Sequence, residues 1–391
     1  MEERTRAYLR GRFRDYYRRA DVDAPPAAAA REWGYIPWTR GPRTTMVRHT
    51  SLVDVGTLSG FLERERPRHV YYSAGRYEDP GAEPMDAKGW HGSDLVFDID
   101  ADHLPGASEE DPLDDLLAAA KRELVKLLDV LVEDVGVDDP TVVFSGGRGY
   151  HLHVRDAAFR PLGRDEREEI ADYVEGTGVD VEALLRTELV GGDVGRTSPA
   201  SRRELPTDGG WSRRVHEHLL ATVDDLLAAD REDALERLQS RDGFGERKAE
   251  AVLTAAERNY DAIAAGNVDV HGAVVELARR LAEETVAEQA AHVDAPVTTD
   301  VNRLIRLPGS LHGGTGLVVT ELDPDDVEGF DPGTDAVAAP FADHEATVDV
   351  PARTDVALGG RTFTYEAGTH SVPEHLAVLL MARGDAEKGK E

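Results

Sequence analysis

Along the first twenty residues, apolar and aromatic side chains recur at Tyr8, Leu9, Phe13, Tyr16 and Tyr17, with arginines between them. That spacing puts one apolar stripe on a helix and predicts an N-terminal helix over residues 5–20 that packs on a core. Past the Ala- and Pro-rich link around Asp23 to Ala30, the segments REWGYIPW, TTMVRHTSL and RHVYYSAGRY predict short strands or turns. SDLVFDID has the pattern of a strand, residues 111–135 that of a helix, and PTVVFSGGRGYHLHV that of a strand with a Gly-rich kink. Strand, helix and strand in that order predict an α/β (α+β) fold with mixed sheets flanked by helices.

From Pro161 to Ala291 the pattern turns helical, through DEREEIADYV, VHEHLLATVDDLLAAD, EDALERLQS, RKAEAVLTAAERN and GAVVELARRLAEETVAEQAA. Residues 161–291 are therefore expected to form a helical insertion in a core whose first part is 1–160 and which resumes over 292–350. Residues 351–391 carry short strands, a final helix near Val372 to Met381 and a polar tail expected to be mobile. No apolar run reaches the length of a membrane span, and the first residues form a charged amphipathic pattern unlike a secretory leader, so a cytoplasmic location is expected.

The chain has 391 residues and a net charge of -31, which ordinarily argues against a nucleic-acid partner. Here 6 lysines stand against 39 arginines and the acidic excess runs along the whole chain, the composition of a protein from a cytoplasm of molar salt. At 1 M salt the Debye length is only about 3 Å, so local clusters and not the global charge decide which partners bind. The absence of cysteine excludes disulfides, thiolate zinc sites and Cys nucleophiles, and leaves Asp, Glu and His as the strong metal ligands.

Three blocks carry candidate chemistry. In FDIDAD, side chains two apart on an extended chain would put Asp98, Asp100 and Asp102 on one face, where a strand end would ordinarily bury Val or Ile. Such oxygens suit Mg²⁺ or Mn²⁺, which take their remaining ligands from water and phosphate; a solvated strand end is the simpler alternative. In SGGRGYHLH, glycines let backbone amides approach a phosphate, and Arg148 and His151 could donate to it, although a hairpin turn explains the glycines equally well. The third block runs from Val293-Asp294 through RLIRLPGSLHG and combines carboxylates, Arg303, Arg306, a Pro-Gly turn and His312, a set suited to a metal-bound triphosphate or to ordinary loop salt bridges.

Together and in this order, VFDID, FSGGRGYHLHV and RLIRLPGSLHG resemble the catalytic subunit of the archaeal and eukaryotic replicative primases, in its archaeal form. The likeness runs from REWGYIPW to about Leu322. It implies a primase-type core, a metal-binding triad of Asp98, Asp100 and Asp294, and phosphate contacts from Ser145, Arg148, His151, Arg306 and His312. Arg48, in MVRHTSL, resembles an arginine of the nucleotide site. The implied activity is template-directed synthesis of short RNA or DNA primers by nucleotidyl transfer with two Mg²⁺ or Mn²⁺ ions. The implied partners are a large primase subunit, a single-stranded DNA template, and NTPs and dNTPs. A primase-like polymerase of end-joining repair, a non-catalytic nucleic-acid-binding subunit and a metal-dependent phosphoesterase are the competing readings.

Two departures stand out. Members of that family usually hold a zinc knuckle between the first two blocks, but without cysteine, and with His103 alone nearby, a structural zinc is not expected here. The lysine often found two residues after the third-block histidine is replaced by Gly314. Two further features are weaker. RDGFGERKAE resembles the turn of a helix-hairpin-helix without a second copy, and His216 and His218 are two apart on a helix, so they do not face one way.

Overall fold

A computed structural model of the chain describes residues 1–39, 45–108, 110–190 and 200–390. Thr44, the first residue of the segment TTMVRHTSL, part of the expected helical insertion at residues 191–199, and the last residue of the tail lie outside them. The fold is α+β, with antiparallel sheets flanked by helices. It forms two compact units, one of residues 1–128, 137–171 and 292–391 and the other of residues 129–136 and 172–291. Among the described residues, no helix is long and apolar enough to cross a membrane.

In the first unit the strands that frame the three blocks are β1 (Trp33–Ile36), β2 (Val47–Thr50), β3 (His69–Ser73), β4 (Leu95–Asp100), β5 (Thr141–Phe144), β6 (Gly149–Val154), β7 (Leu304–Arg306) and β8 (Thr320–Leu322). They form two antiparallel sheets, in the orders β7-β3-β1-β2 and β8-β5-β6-β4. Alternation explains β4: Leu95, Phe97 and Ile99 are buried on one face, while Asp98 and Asp100 are only partly buried on the other. The start of β4 is fixed by Asp94, whose buried carboxylate accepts from Arg31 (2.5 Å) and Arg76 (2.8 Å). Arg167 adds donations to the carbonyls of Ser93 (2.7 Å) and Asp94 (3.1 Å). A buried carboxylate is tolerable there because its charge and its lone pairs are both matched.

Two sequence expectations need correction. The strand does not continue to Asp102: Ala101–His103 turns into a 3-10 helix, the Asp102 amide reaches back to Asp100 Oδ1 at 3.4 Å, and Asp102 leaves the row of carboxylates. The stretch PTVVFSGGRGYHLHV is two strands and not one kinked strand, because the Ser145 amide bonds the Gly149 carbonyl (3.0 Å) and closes a hairpin between β5 and β6. Gly149 is needed there for space, since a Cβ on it would lie 1.9 Å from the Ile99 carbonyl oxygen of β4. Gly146 has a φ of +74° and a Cβ on it would lie 2.7 Å from that of His312.

The helices of this unit that bear on the site are α1 (Glu3–Tyr17), α2, which starts at Leu113, α3 (Ala295–Thr299), which packs on β4, and α4 (Glu374–Arg383). α1 buries Leu9, Phe13, Tyr16 and Tyr17 of the stripe its spacing predicts, while Tyr8 is only partly buried. The C-terminal region pairs β9 (Glu345–Val350) with β10 (Gly368–Pro373) and with a short β11 (Glu387–Lys388). The polar tail thus carries a strand: Lys388 is buried, and its amide donates to Thr5 Oγ1 of α1 at 2.8 Å.

The second unit is built on the helices Gly210–Ala228, Arg231–Gln239, Glu246–Ala264 and Gly272–Gln289, with an antiparallel strand pair, Arg186–Val190 and Ala200–Glu204, that periodicity does not reveal. Leu219, Val223, Leu253, Ala256, Leu277 and Leu281 form part of its apolar core. Around the Gly243–Gly245 turn, Lys248 is paired with Glu276 and Arg241 with Glu284, so two of its cations are already engaged by carboxylates. His216 and His218 bond the Ile263 carbonyl (3.1 Å) and Thr285 Oγ1 (2.9 Å), respectively.

Candidate active site

The first and third blocks come together beside β4 through their backbones. Asp294 is the N-cap of α3, and its backbone amide donates to the Asp98 carbonyl at 2.8 Å, which fixes the start of α3 against the strand. Partial burial and then the negative charge of Asp98 and Asp100 push the Asp294 carboxyl above its usual range, against the cationic influence of His103 and Arg303. Like charges of the two blocks thus act on one another. Among the described residues, no three His, Asp or Glu side chains are drawn closely enough to hold an ion as they stand. The donor chemistry nevertheless fits a hard divalent cation, because oxygen donors that repel one another are brought together by a shared positive charge.

Antiparallel register places His151 directly opposite Asp98, with Nε2 3.5 Å from Oδ1. Burial holds the imidazole below its ordinary pKa although Asp98 favours the charged form, and it stands in the sheet beneath the carboxylates. Beside them is a cavity of about 440 Å³ lined by Asp100, Ser145, Gly147, Arg148, Arg306 and His312, among others. Arg148 forms an ion pair with Asp102, and Arg306 lies over the Tyr71 ring at 5.8 Å. Burial, reinforced by Arg306 and His69, holds His312 well below the ordinary imidazole pKa, so the ring is neutral at pH 7. Its Nδ1 lies within hydrogen-bond reach of the Thr315 hydroxyl (3.1 Å) and of the Gly314 amide (3.3 Å).

The turn after His312 is joined to the turn between β5 and β6 through the Thr315 hydroxyl, which donates to the Gly146 carbonyl. Sequence reading missed Thr315, and also Asp102 as the counter-ion of Arg148 and Arg303 as a cation acting on Asp294. Their signal was faint, because each is a common surface residue type whose role depends on a long-range approach. It missed as well the part of the cavity wall contributed by Asp111, Leu113 and Leu116, at the start of α2, and by Leu379, Arg383 and Asp385, at the end of α4. The structure does not bring Arg48 to this cavity. It lies on β2, at the opposite edge of its sheet from Arg306 on β7, and its Nε bonds Glu32 at 3.1 Å.

A family model described as DNA primase small subunit matches residues 97–324, more than half of the chain and all three blocks. The chain belongs to the DNA primase small-subunit family. Proteins named DNA primase small subunit PriS from Haloarcula marismortui and Halobacterium salinarum are 58% and 54% identical to it, each over the full length of both chains. One of the same name from Methanococcoides burtonii is 38% identical, again over both full lengths. The primase match begins within β4 and ends shortly after β8, so Arg48 and the whole of α4 lie outside it.

Proposed function

We propose that this primase small subunit is the catalytic subunit of a DNA primase, joining nucleotides on a single-stranded template to make short RNA, and also DNA, primers for replication. The observation that carries the reading is the junction of Asp294 with the end of β4, where Asp100 lines the same cavity as Arg148, Arg306 and His312. Asp98, Asp100 and Asp294 would hold Mg²⁺ or Mn²⁺, which supplies a lowered pKa for the attacking 3′-hydroxyl and neutralisation of the leaving pyrophosphate. The chain's own residues bind and orient the triphosphate. Arg148 and Arg306 give charge-assisted donors to its oxygens, and neutral His312 lines the same cavity as a hydrogen-bonding group that does not transfer a proton. Ser145 and the amides of the turn that follows it add donors at close range, which only glycine's lack of a side chain allows. His151 positions Asp98 from the neighbouring strand. The partner proposed from the relatives' names is a large primase subunit.

The test is primer synthesis without a pre-existing primer, on a single-stranded template in molar salt, with labelled ribonucleotides and deoxyribonucleotides in parallel and with the large subunit present or absent. Metal-dependent products from the wild type and none from Asp98→Ala support the reading. Equal behaviour of the two proteins overturns it, and strict dependence on a 5′-phosphate at a DNA break would instead support an end-joining polymerase.

A further inference from the structure

One wall of the cavity comes from outside the segment that matches the family model. α4 ends at Arg383, and Arg383, Leu379 and Asp385 line the cavity together with Arg148 and Arg306. The helix is held rigidly. At its start, buried Glu374 accepts from Arg12 of α1 at 2.7 Å; along its length, Val378 packs so closely on the turn after His312 that a Cβ on Gly316 would lie 2.3 Å from it. Just past its end, the chain enters β11, paired to β9. Arg383 therefore stands on a clamped element and not on a fraying end.

The charge balance shows what such a residue could do. A nucleoside triphosphate brings about four negative charges, and its oxygens accept best from guanidinium groups. Asp100 and Asp111 line the same cavity, Arg148 is already paired with Asp102, His312 is neutral, and Gly314 presents no side chain. Arg306 is the one guanidinium lining the cavity without a carboxylate partner among the described residues, so a triphosphate draws on the paired guanidiniums Arg148 and Arg383 as well. Arg383 is 41% exposed and its ion pair with Asp385 uses Nε at 3.2 Å, so its two terminal amino groups remain for a phosphate. The geometry points to Arg383 as a further triphosphate-binding residue, supplied by the C-terminal helix, with Asp385 orienting its guanidinium. This rests on the reading of the cavity as the nucleotide site.

The experiment is displacement of a fluorescent NTP analogue from the full chain, in molar salt with Mn²⁺, by unlabelled NTP and by inorganic tripolyphosphate. Wild type, Arg383→Ala, Arg383→Lys and Arg306→Ala are compared, with thermal melts to verify folding. Arg383→Ala should weaken both competitors about tenfold, as expected for loss of a charged hydrogen bond, and Arg383→Lys should recover part of that loss. Wild-type affinity in Arg383→Ala, with weakening in Arg306→Ala, overturns the role of Arg383 and leaves the nucleotide site standing. Weaker NTP but unchanged tripolyphosphate binding also overturns it, because the contact is then not to phosphate. No nucleotide binding by the wild type removes the site itself and this proposal with it.

Discussion

The two units use charge in opposite ways. In the helical unit, apolar side chains such as Leu219, Leu253 and Leu281 fill the core, and most arginines sit outside, paired as Arg231 is with Glu250 and Glu257. In the unit that carries the three blocks, Asp98 and Asp100 on β4 add their negative charge to that of Asp294 at the start of α3, and buried histidines, His69, His153 and His312 among them, are held neutral. Residues chosen only for stability would not be arranged in this way. The first pattern lowers the energy of the folded chain, whereas the second raises it locally and is relieved by what the site binds.

Replacing residues in each unit should separate the two patterns. Asp100→Ala should lower primer synthesis by at least about a hundredfold while leaving the melting temperature unchanged or higher, because a repelling charge is removed. Leu281→Ala should do the reverse: a loss of about 3 kcal/mol of unfolding free energy in denaturant titration, with the rate per folded molecule retained. Gly149→Ala, at the contact with the Ile99 carbonyl, should cost about 2 kcal/mol and activity together, since the strand that carries Asp98 and Asp100 must move.

Acid should also distinguish the units. His69, His153 and His312 have their pKa values well below 6.5 because burial penalises the charged ring. Each ring takes up its proton more readily in the unfolded chain, so the stability they allow is complete above pH 6.5 and falls as pH drops below it. Both ring nitrogens of His153 lack a hydrogen-bond partner among the described residues, so His153→Leu should be neutral or stabilising and should reduce the acid-induced fall in melting temperature. A melting temperature that stays flat down to about pH 5 would contradict this account of the buried rings. The smallest effect is expected at the helical surface, where Arg231→Ala should change stability by less than about 0.5 kcal/mol in molar salt.

How far the sequence could be read follows from the range of the interactions involved. Asp98 and Asp100 on one face, and the apolar stripe of α1, are short-range consequences of period and were legible. The exit of Asp102 from the strand was not, because a single 3-10 turn decides it. Nor was the approach of α4 to the cavity. Every residue from Leu376 to Ala382 is buried, so no polar face in the pattern marks where Arg383 points. The paired strands Arg186–Val190 and Ala200–Glu204 have too many arginines and glutamates for a strand pattern to emerge. The site positions in the third block were reached through resemblance, since nothing local shows that Asp294 caps a helix against a strand nearly two hundred residues earlier.

The most direct test of the account is a Mn²⁺ titration followed by electron paramagnetic resonance, which counts free ion without requiring turnover. The wild type should bind Mn²⁺, and Asp98→Asn and Asp294→Asn should each lose that binding while remaining folded. If Asp294→Asn binds Mn²⁺ as tightly as the wild type, the carboxylates of the first and third blocks do not share a cation, and the proposed site is wrong.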